Sequence, residues 1–325
     1  MRMVLFMPSQ VVNGKAFEYA CLNAVECALR DKQEVEIVKN DALITAHGFY
    51  QCMTDEQRHV LDKAAKAACN IILRLEPQLD KQSHKDKLMI SLQEDSAGQD
   101  GDVRDLVMVR NENGWEIGLS CKHNHEAVKH SRLSASLDFG DKWLGLPCSE
   151  EYFKNISGIF EMLKDEKSKG TKWNEIGDKD IVVYRPVLDA FRKELLALDR
   201  SNKNIVPQEL VKYLIGRNDF YKVIARESNR LTEVQAYNLY GTLNQADSKF
   251  KPRAKIEKLP LPSKILDFSY KEKSNNTLII TFDKGWSVSL RIHNASSKVE
   301  PSLKFDVQIV GFPRELFKTD ADWEE

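Results

Sequence analysis

The sequence lacks a long apolar run and any closely spaced pair of cysteines. No apolar stretch approaches the roughly 20 residues of a membrane-spanning helix, and Met1–Pro8 is too short for a signal peptide. The six cysteines are scattered without CxxC spacing, so we expect reduced, mostly buried thiols. We therefore predict a cytoplasmic protein that does not enter a membrane.

The sequence also has no marked excess of either charge. Its formal net charge is -1 although 30% of its residues are charged, which argues against a protein that coats nucleic acid without regard to sequence. A specific DNA enzyme is compatible with this balance, because local basic faces and acidic metal ligands cancel in the sum. At 325 residues the chain is long enough for one large domain or two modest ones.

Two short apolar runs separated by turn residues predict a β-hairpin. The first run, Leu106–Arg110, is apolar and β-branched, and the second is Trp115–Cys121. The segment between them, Asn111–Gly114, has the composition of a turn. We interpret the stretch around this hairpin as the part of the chain that carries the chemistry.

The hairpin register decides which side chains meet at its open end. With Asn113 and Gly114 as the two turn residues, Asp105 pairs with Lys122; with the turn centred one residue earlier, Asp105 pairs with Ser120. In both registers Asp105 lies on the face that carries Ser120 and Lys122, because side chains alternate along a strand. A carboxylate and a lysine in this arrangement predict a site that holds Mg2+ and steadies a phosphate.

Three longer phrases extend beyond this pair: GQDGDVRDLV, GLSCKHNHEAVKHSRLS and RIHNASSKVEPSLKFDVQ. Together they resemble the HaeIII-like type II restriction endonucleases. Within them, Asp105, Ser120 and Lys122 resemble the PD-(D/E)xK nuclease motif, with Ser120 where the second acidic residue normally stands.

This resemblance implies both a fold and a function. The fold would be α/β (α+β), with a PD-(D/E)xK nuclease core in which helices flank a mixed sheet, helical insertions, and a C-terminal part rich in strands. The function would be Mg2+-dependent, sequence-specific cleavage of double-stranded DNA, with GGCC as the implied target and a cognate DNA methyltransferase as partner. A palindromic target would suit a two-fold homodimer.

Ser120 leaves the predicted metal site short of a carboxylate, because serine supplies no charge to a cation that prefers anionic oxygen. Glu116 lies on the same face, but its separation from Lys122 corresponds to about 20 Å along a strand at roughly 3.3 Å per residue. Glu126, just past the strand, and Glu18, on the first predicted helix, are better substitutes. For Glu18 the alternative is a solvated helix charge. The predicted catalytic residues are Asp105, Ser120, Lys122 and Glu126, and the predicted metal ligands are Asp105, Glu18 and Glu126.

The segment after the hairpin, HNHEAVKHSRLSASL, is predicted to be a helix rich in basic residues. Lys129 and Arg132 are three residues apart and share a helix face, which together with His130 is suited to DNA phosphates. The alternative is a zinc site, although the spacing matches no standard one. Its ligands would be Cys121, His123, His125 and His130.

The C-terminal part is predicted to form strands with ordered polar faces. Four segments, separated by turn residues, either alternate apolar with polar residues or are continuously apolar: Lys264–Tyr270, Thr277–Asp283, Trp286–His293 and Ser302–Val310. Polar side chains share one face in each of the last two: Ser289, Arg291 and His293, then Lys304, Asp306 and Gln308. Two such strands suit the reading of base edges in the major groove, whereas a solvated outer face gives the same alternation. The predicted DNA-binding residues are Lys129, His130, Arg132, Arg291, His293, Asn294 and Lys304.

Helical patterning covers most of the remaining chain. It predicts helices over 13–30, 42–75, 152–164 and 186–198, a short strand over 181–184, and further helix from 201 to 244. A basic, extended connector follows at 249–258. We predict a nuclease core over 1–200 and a helical and β-rich DNA-recognition part over 201–325, with the connector as another place for the boundary.

Two other functions fit the same residues. A non-catalytic DNA-binding protein on a decayed nuclease core would explain Ser120, and a repair nuclease would act on DNA structure or free ends. Incubation with a plasmid and Mg2+ separates the three functions. Discrete bands indicate a restriction enzyme, binding without cutting indicates the decayed core, and a smear indicates the repair nuclease.

Overall fold

The computed structural model describes residues 10–81, 86–94, 101–112, 114–124, 131–246 and 251–324. The α-helices in this part of the chain are α1 (Gln10–Leu29), α2 (Asp41–Gln51), α3 (Asp55–Leu75), α4 (Glu150–Ser168), α5 (Arg185–Ser201) and α6 (Val206–Ile215). The strands are β1 (Val35–Ile37), β2 (Leu88–Leu92), β3 (Leu106–Arg110), β4 (Trp115–His123), β5 (Arg132–Ser134), β6 (Phe220–Arg226), β7 (Leu231–Tyr237), β8 (Ile265–Tyr270), β9 (Thr277–Phe282), β10 (Ser287–His293), β11 (Ser302–Gly311) and β12 (Phe317–Asp322).

The chain divides into two interleaved units. Unit 1 comprises Met1–Glu126, Asn218–Leu259 and Glu315–Glu325, and unit 2 comprises Ala127–Arg217 and Pro260–Arg314. The chain passes from unit 1 to unit 2 directly after the basic connector. Residue 200, the other predicted boundary, lies at the end of α5 inside unit 2, and the division into a nuclease core and a recognition part stays a prediction.

Unit 1 is built on a seven-stranded mixed sheet. Its strand order is β1-β2-β3-β4-β6-β7-β12, with parallel pairs at β1–β2 and β4–β6 and antiparallel pairs elsewhere. Helices α1 and α3 pack against this sheet and against each other. The predicted stripe of α1 is buried at Phe17, Ala20 and Cys21, so this helix joins the core as expected from its apolar spacing. The mixed α/β class is confirmed.

The predicted hairpin forms, and its register is the second of the two considered. Leu106 pairs with Leu119 and Arg110 pairs with Trp115, which leaves a loop of residues 111–114 between the strands. Continuing this register places Asp105 beside Ser120. Gly114 adopts a φ of 64°, a left-handed conformation that glycine reaches without a side-chain clash.

Two predicted helices required correction in unit 1. The helical stretch 42–75 is two helices, because Thr54 caps the start of α3: its side chain accepts from the Gln57 backbone N–H, and the Gln57 side chain accepts from the Thr54 N–H. The prediction of helix from 201 to 244 holds for α6 but is wrong for β6 and β7. Nearly every residue of β6 is buried, and an apolar run buried on both strand faces shows no period that distinguishes it from a buried helix.

Unit 2 contains a five-stranded antiparallel sheet of order β5-β11-β10-β9-β8. The four C-terminal strands predicted from alternation are therefore confirmed. One sheet face packs on an aromatic cluster in which Phe191 of α5 lies 4.7 Å from Phe139 and 5.3 Å from Phe305 of β11, between ring centroids. Such rings bury large apolar areas and hold the helix against the sheet.

Two local predictions in unit 2 are wrong. The segment 181–184, predicted as a strand, lies in the helical turn Asp180–Tyr184, which continues into α5. The helix predicted over 123–137 is not formed where the structure describes this stretch: His123 ends β4, and Arg132–Ser134 is β5. At 181–184 the β-branched residues favour a strand, but the segment is recruited into the start of α5. At 132–134 pairing with β11 overrides the local helical pattern. Within the described residues, no helix has the length and apolar content required to cross a membrane.

A buried arginine ties the hairpin to the preceding loop of unit 1. The Arg110 side chain is 0% exposed. Its guanidinium donates to backbone carbonyls of Gln78, Asp86, Leu79 and Lys81 and to the side chain of Gln33. These carbonyl oxygens, together with the negative charge of Asp86, compensate for removing the guanidinium charge from water.

We expect Arg110→Met to lower the free energy of unfolding by about 3 kcal/mol, since each buried acceptor that loses its donor costs about 1–3 kcal/mol. Urea denaturation measures the change. Arg30→Met is the matched control: Arg30 is exposed just past α1, and its replacement should stay within about 0.5 kcal/mol. Equal losses in both variants would contradict a structural role for Arg110.

Candidate active site

Three groups converge on one oxygen at the open end of the β3–β4 hairpin. Asp105 Oδ2 accepts from the Cys121 backbone N–H at 2.7 Å, from Lys122 Nζ at 2.9 Å and from Ser120 Oγ at 3.4 Å. Ser120 is buried, whereas the side chains of Asp105 and Lys122 are 20% and 23% exposed. The structure thus brings the predicted Asp105, Ser120 and Lys122 together in a position that solvent reaches.

The backbone of Asp105 is fixed on both sides. Its N–H donates to the Leu119 carbonyl at 2.8 Å, and its carbonyl accepts from the Gln93 N–H at 2.9 Å. Asp105 is therefore held between the strand that precedes β3 and the strand that follows it. This preorganises the carboxylate, because its position does not depend on a mobile loop.

Lys122 is held in its charged form. Burial by itself disfavours the ammonium, but the charge and hydrogen bond of Asp105, assisted by the charge of Glu18, raise the pKa of Lys122 above its ordinary value. A lysine whose pKa is raised does not act as a base near neutral pH. It supplies a fixed positive charge instead.

Glu18 of α1 faces the same site. It is 7% exposed, and burial, followed by the negative charge of Asp105, raises its pKa from 4.5 to about 8. Lys15 donates to Glu18 Oε2 at 3.0 Å and partly offsets this rise. The alternative of a solvated helix charge is therefore wrong, whereas the role of Glu18 as a metal ligand stays a prediction.

The oxygen donors at this site suit a hard divalent cation. Asp105 and Glu18 provide carboxylates that repel each other, and Ser120 adds a hydroxyl. Within the described ranges, no cluster of three or more His, Cys, Asp or Glu side chains is arranged to hold a metal. Two carboxylates are nevertheless enough for Mg2+, which commonly keeps several waters and takes further ligands from substrate phosphates.

A second ionic cluster, not predicted from the sequence, lies further along the same strand face. The side chain of Arg104, 7% exposed, donates to Asp102 Oδ1 at 2.8 Å and also to Glu116. Asn218 donates to Asp102 Oδ2 at 3.1 Å. A Cβ on Gly118 would collide with the Arg104 side chain. That glycine inside an apolar strand is the sequence signal of a close approach.

The structure also clarifies the other candidate ligands. Glu116 is engaged by Arg104, in keeping with its exclusion from the metal site. Cys121 is buried, and His123 Nε2 lies 3.3 Å from Glu227, so neither joins a zinc cluster within the described part. The predicted residues Glu126, Lys129 and His130, like His125, lie outside the described residues.

Several predicted DNA-binding residues meet on the polar face of the unit 2 sheet. His293 of β10 is directly opposite Lys304 of β11, and Arg291 is opposite Asp306. Arg132 of β5 is opposite Lys304 on the other side. The strands thus align polar side chains in rows, as the alternation predicted.

Asn294, also predicted to bind DNA, is engaged in hydrogen bonds within its own loop, and its contact with DNA stays a prediction. Its amide donates to the carbonyls of Ser296 and Lys298 at 2.6 and 2.8 Å, and its Oδ1 accepts from the Glu300 N–H at 2.9 Å. Both ends of this side chain are used inside one loop. We therefore assign Asn294 to shaping the loop between β10 and β11.

Comparison with known proteins identifies the family. The model of the HaeIII restriction endonuclease family matches residues 14–313. The chain belongs to the HaeIII restriction endonuclease family. It is 40% identical over 313 residues to the type II restriction enzyme HaeIII of Haemophilus aegyptius, covering 96% of this chain and 98% of that enzyme. No solved structure matches the chain.

Membership of the HaeIII restriction endonuclease family makes this protein a sequence-specific DNA endonuclease. The match spans both the hairpin with Asp105 and Lys122 and the polar rows of the unit 2 sheet. Both the candidate active site and the candidate DNA-contact face therefore lie inside the region that the family shares.

The raised pKa of Glu18 predicts a pH-dependent stability. The folded state holds the proton up to about pH 8 and the unfolded state only to about pH 4.5. The stabilising contribution is therefore complete below the lower pKa and is lost as the pH rises through the upper one. A tenfold difference in proton affinity between the two states corresponds to about 1.4 kcal/mol. We expect the free energy of unfolding of the metal-free protein to fall relative to Glu18→Gln, by at least about 2 kcal/mol between about pH 5 and 8.

Urea denaturation of both proteins across this range measures the difference. Glu56→Gln makes the same change at an exposed position of α3 and should give a difference that does not vary with pH. If the free energy of unfolding varied with pH in the same way in Glu18→Gln and in the wild-type protein, Glu18 would not titrate as described.

Proposed function

We propose that this endonuclease cleaves double-stranded DNA at a specific sequence in a Mg2+-dependent reaction, through a PD-(D/E)xK-type core. The GGCC target is the one implied by the family resemblance. The observation that carries the proposal is the Asp105–Lys122 pair, with Nζ 2.9 Å from Oδ2, at the open end of a hairpin in a mixed sheet and beside the buried Glu18. This is the arrangement expected of the motif, with its second acidic residue supplied by a helix.

Lys122 is proposed as the catalytic cation. Hydrolysis of a phosphodiester requires a water placed in line with the leaving oxygen and stabilisation of the charge that develops on the phosphoryl oxygens. Lys122 remains protonated and reaches a solvent-accessible position. Its ammonium can therefore orient the attacking water by hydrogen bonding and stabilise the extra negative charge.

Asp105 and Glu18 are proposed to hold the metal, with the Ser120 hydroxyl beside them. When bound, Mg2+ polarises the phosphate and lowers the pKa of a coordinated water. The protein's own contribution is the fixed placement of the Asp105 carboxylate by Cys121 and Lys122. A bound cation would also offset the burial and the charge of Asp105 that together raise the pKa of Glu18.

The wider role follows from the restriction class. An enzyme that cuts a specific site requires protection of the same site in the host's DNA, so we propose a cognate DNA methyltransferase as partner and the cytoplasm as the compartment in which both act. A palindromic target would be read by a two-fold homodimer. Size determination with and without a target duplex tests this last point.

We expect Asp105→Asn and Lys122→Met each to reduce plasmid cleavage at least about 100-fold, the size expected for removing one charge-stabilising group. The assay is cutting of a plasmid with GGCC sites in Mg2+, with circular dichroism to verify folding. Glu112→Gln removes a charge from the exposed turn of the same hairpin and should cut normally. A folded Lys122→Met variant that cuts at the wild-type rate would place the site elsewhere, and a smear instead of bands would indicate a structure-specific nuclease.

Comparison of Glu18→Gln with Glu126→Gln shows which residue supplies the second carboxylate ligand of the metal. We propose Glu18, so Glu18→Gln should abolish most cutting and the Mg2+-induced rise in Tm while leaving DNA binding unchanged, because an amide is a poorer ligand for a hard cation. Glu126→Gln should then cut nearly normally. Ser120→Glu in the Glu18→Gln background should restore part of the activity. If Glu126→Gln, and not Glu18→Gln, lost both cutting and the Mg2+-induced rise in Tm, Glu126 would be the second carboxylate ligand instead.

A further inference from the structure

Three basic side chains form one row across the polar face of the unit 2 sheet. Arg132 on β5 is opposite Lys304 on β11, and Lys304 is opposite His293 on β10. Directly opposed residues on antiparallel strands have Cβ atoms about 4.5–5.5 Å apart, a distance at which like charges destabilise the sheet. The facing charges of Arg132 and Lys304 are therefore unfavourable unless negative charge compensates for them.

Carboxylates compensate for the two nearby arginines but not for the lysine. Arg132 Nη1 lies 2.9 Å from Glu300 Oε2, and Arg291 Nη2 lies 3.9 Å from Asp306 Oδ2. Among the residues that the structure describes, Lys304 forms no ion pair. The charges of Glu300 and Asp306 also act on Lys304, but each of these carboxylates already pairs with an arginine. One positive charge of the cluster, that of Lys304, therefore has no carboxylate of its own among the described residues.

Burial increases the cost of this arrangement. Burial and then the charge of Arg132 lower the pKa of Lys304. Burial and then the charges of Arg291 and Lys304 lower the pKa of His293. In addition, Nδ1 of His293 is buried and makes no hydrogen bond of good geometry within the described part of the chain, although a weaker interaction with the Arg291 backbone raises the pKa of His293 slightly. The row therefore combines excess positive charge with unused hydrogen-bonding capacity.

We propose that Arg132, Lys304 and His293 form a binding site for one phosphate of the DNA backbone, with Lys304 as its central contact. This inference rests on the proposed function, since it takes double-stranded DNA as the ligand. A phosphate accepts hydrogen bonds and also relieves the repulsion within the row. A neutral base edge accepts hydrogen bonds but leaves the repulsion in place, so the unbalanced charge favours phosphate over base.

The row is distinct from the neighbouring pair on the same strands. Arg291 and Asp306 combine a donor suited to guanine with an acceptor suited to the cytosine amino group, so this pair matches both bases of a G·C pair. Lys304 and Arg132 have donors only, which match phosphate oxygens and hold the protein on the duplex without regard to sequence. Substitution of Lys304 should therefore weaken binding to all sequences equally.

The test is the salt dependence of DNA binding. Fluorescence anisotropy with a labelled duplex, in EDTA and over a series of NaCl concentrations, gives the slope of log K against log salt. Each phosphate contact contributes about 0.9 to this slope. Lys304→Gln should reduce it by about 0.9 and weaken binding to duplexes with and without GGCC by the same factor. Lys304→Arg keeps the charge and should retain the wild-type slope.

Lys154→Gln is the matched control, because Lys154 is exposed on α4 of the same unit, and it should change neither slope nor affinity. An unchanged slope in folded Lys304→Gln overturns the phosphate site, as does a loss confined to the GGCC duplex, which would indicate base reading. Plasmid cleavage by the wild-type protein distinguishes failure of the phosphate site from failure of the proposed function. If it still gives discrete bands while the slope is unchanged, only this inference fails; if it neither binds nor cuts DNA, the proposed function fails as well.

Discussion

The candidate active site depends on the register of one β-hairpin. A slip of one residue would turn every side chain of β4 to the opposite face and would separate Asp105 from Lys122. Backbone pairing of β3 with both neighbours prevents this, and the Cys121 N–H, 2.7 Å from Asp105 Oδ2, directs the carboxylate. The chemistry thus rests on main-chain hydrogen bonds, which any side-chain substitution at Cys121 leaves in place except proline.

Glu18 shows how the core and the site share one helix. Phe17, Ala20 and Cys21 of α1 are buried in the core of unit 1, and this packing carries Glu18 to a position where burial disfavours its charge. The site therefore reduces stability when no cation is present, a cost commonly found at functional sites. The apolar stripe that fixes the helix also fixes the carboxylate.

Local signals in the sequence were sufficient for part of this structure. The hairpin and the four C-terminal strands were predictable because alternation and turn residues are encoded within a few residues of each other. Strand β6 was not, since burial on both faces removes the alternation, and β7, which pairs with it, lies in the same stretch that was predicted to be helical. Glu18 was recognised only as a candidate, because its position at the edge of a helix stripe fits both a solvated and a buried side chain. Gly118 leaves room for the side chain of Arg104, and no local pattern in the sequence indicates that this arginine lies across it.

The polar row of unit 2 was beyond local reasoning for a different reason. Arg132 lies in a three-residue strand whose partner, β11, follows far along the chain, and nothing near Arg132 in the sequence indicates that pairing. Elsewhere in unit 2, lysines pair with carboxylates three residues away, as Lys169 does with Glu166 and Lys212 with Glu209. Such pairs add nothing to the net charge and present little field to a distant anion. A net charge of -1 therefore includes many neutral pairs, and the attraction for DNA must arise where the fold leaves a positive charge unbalanced.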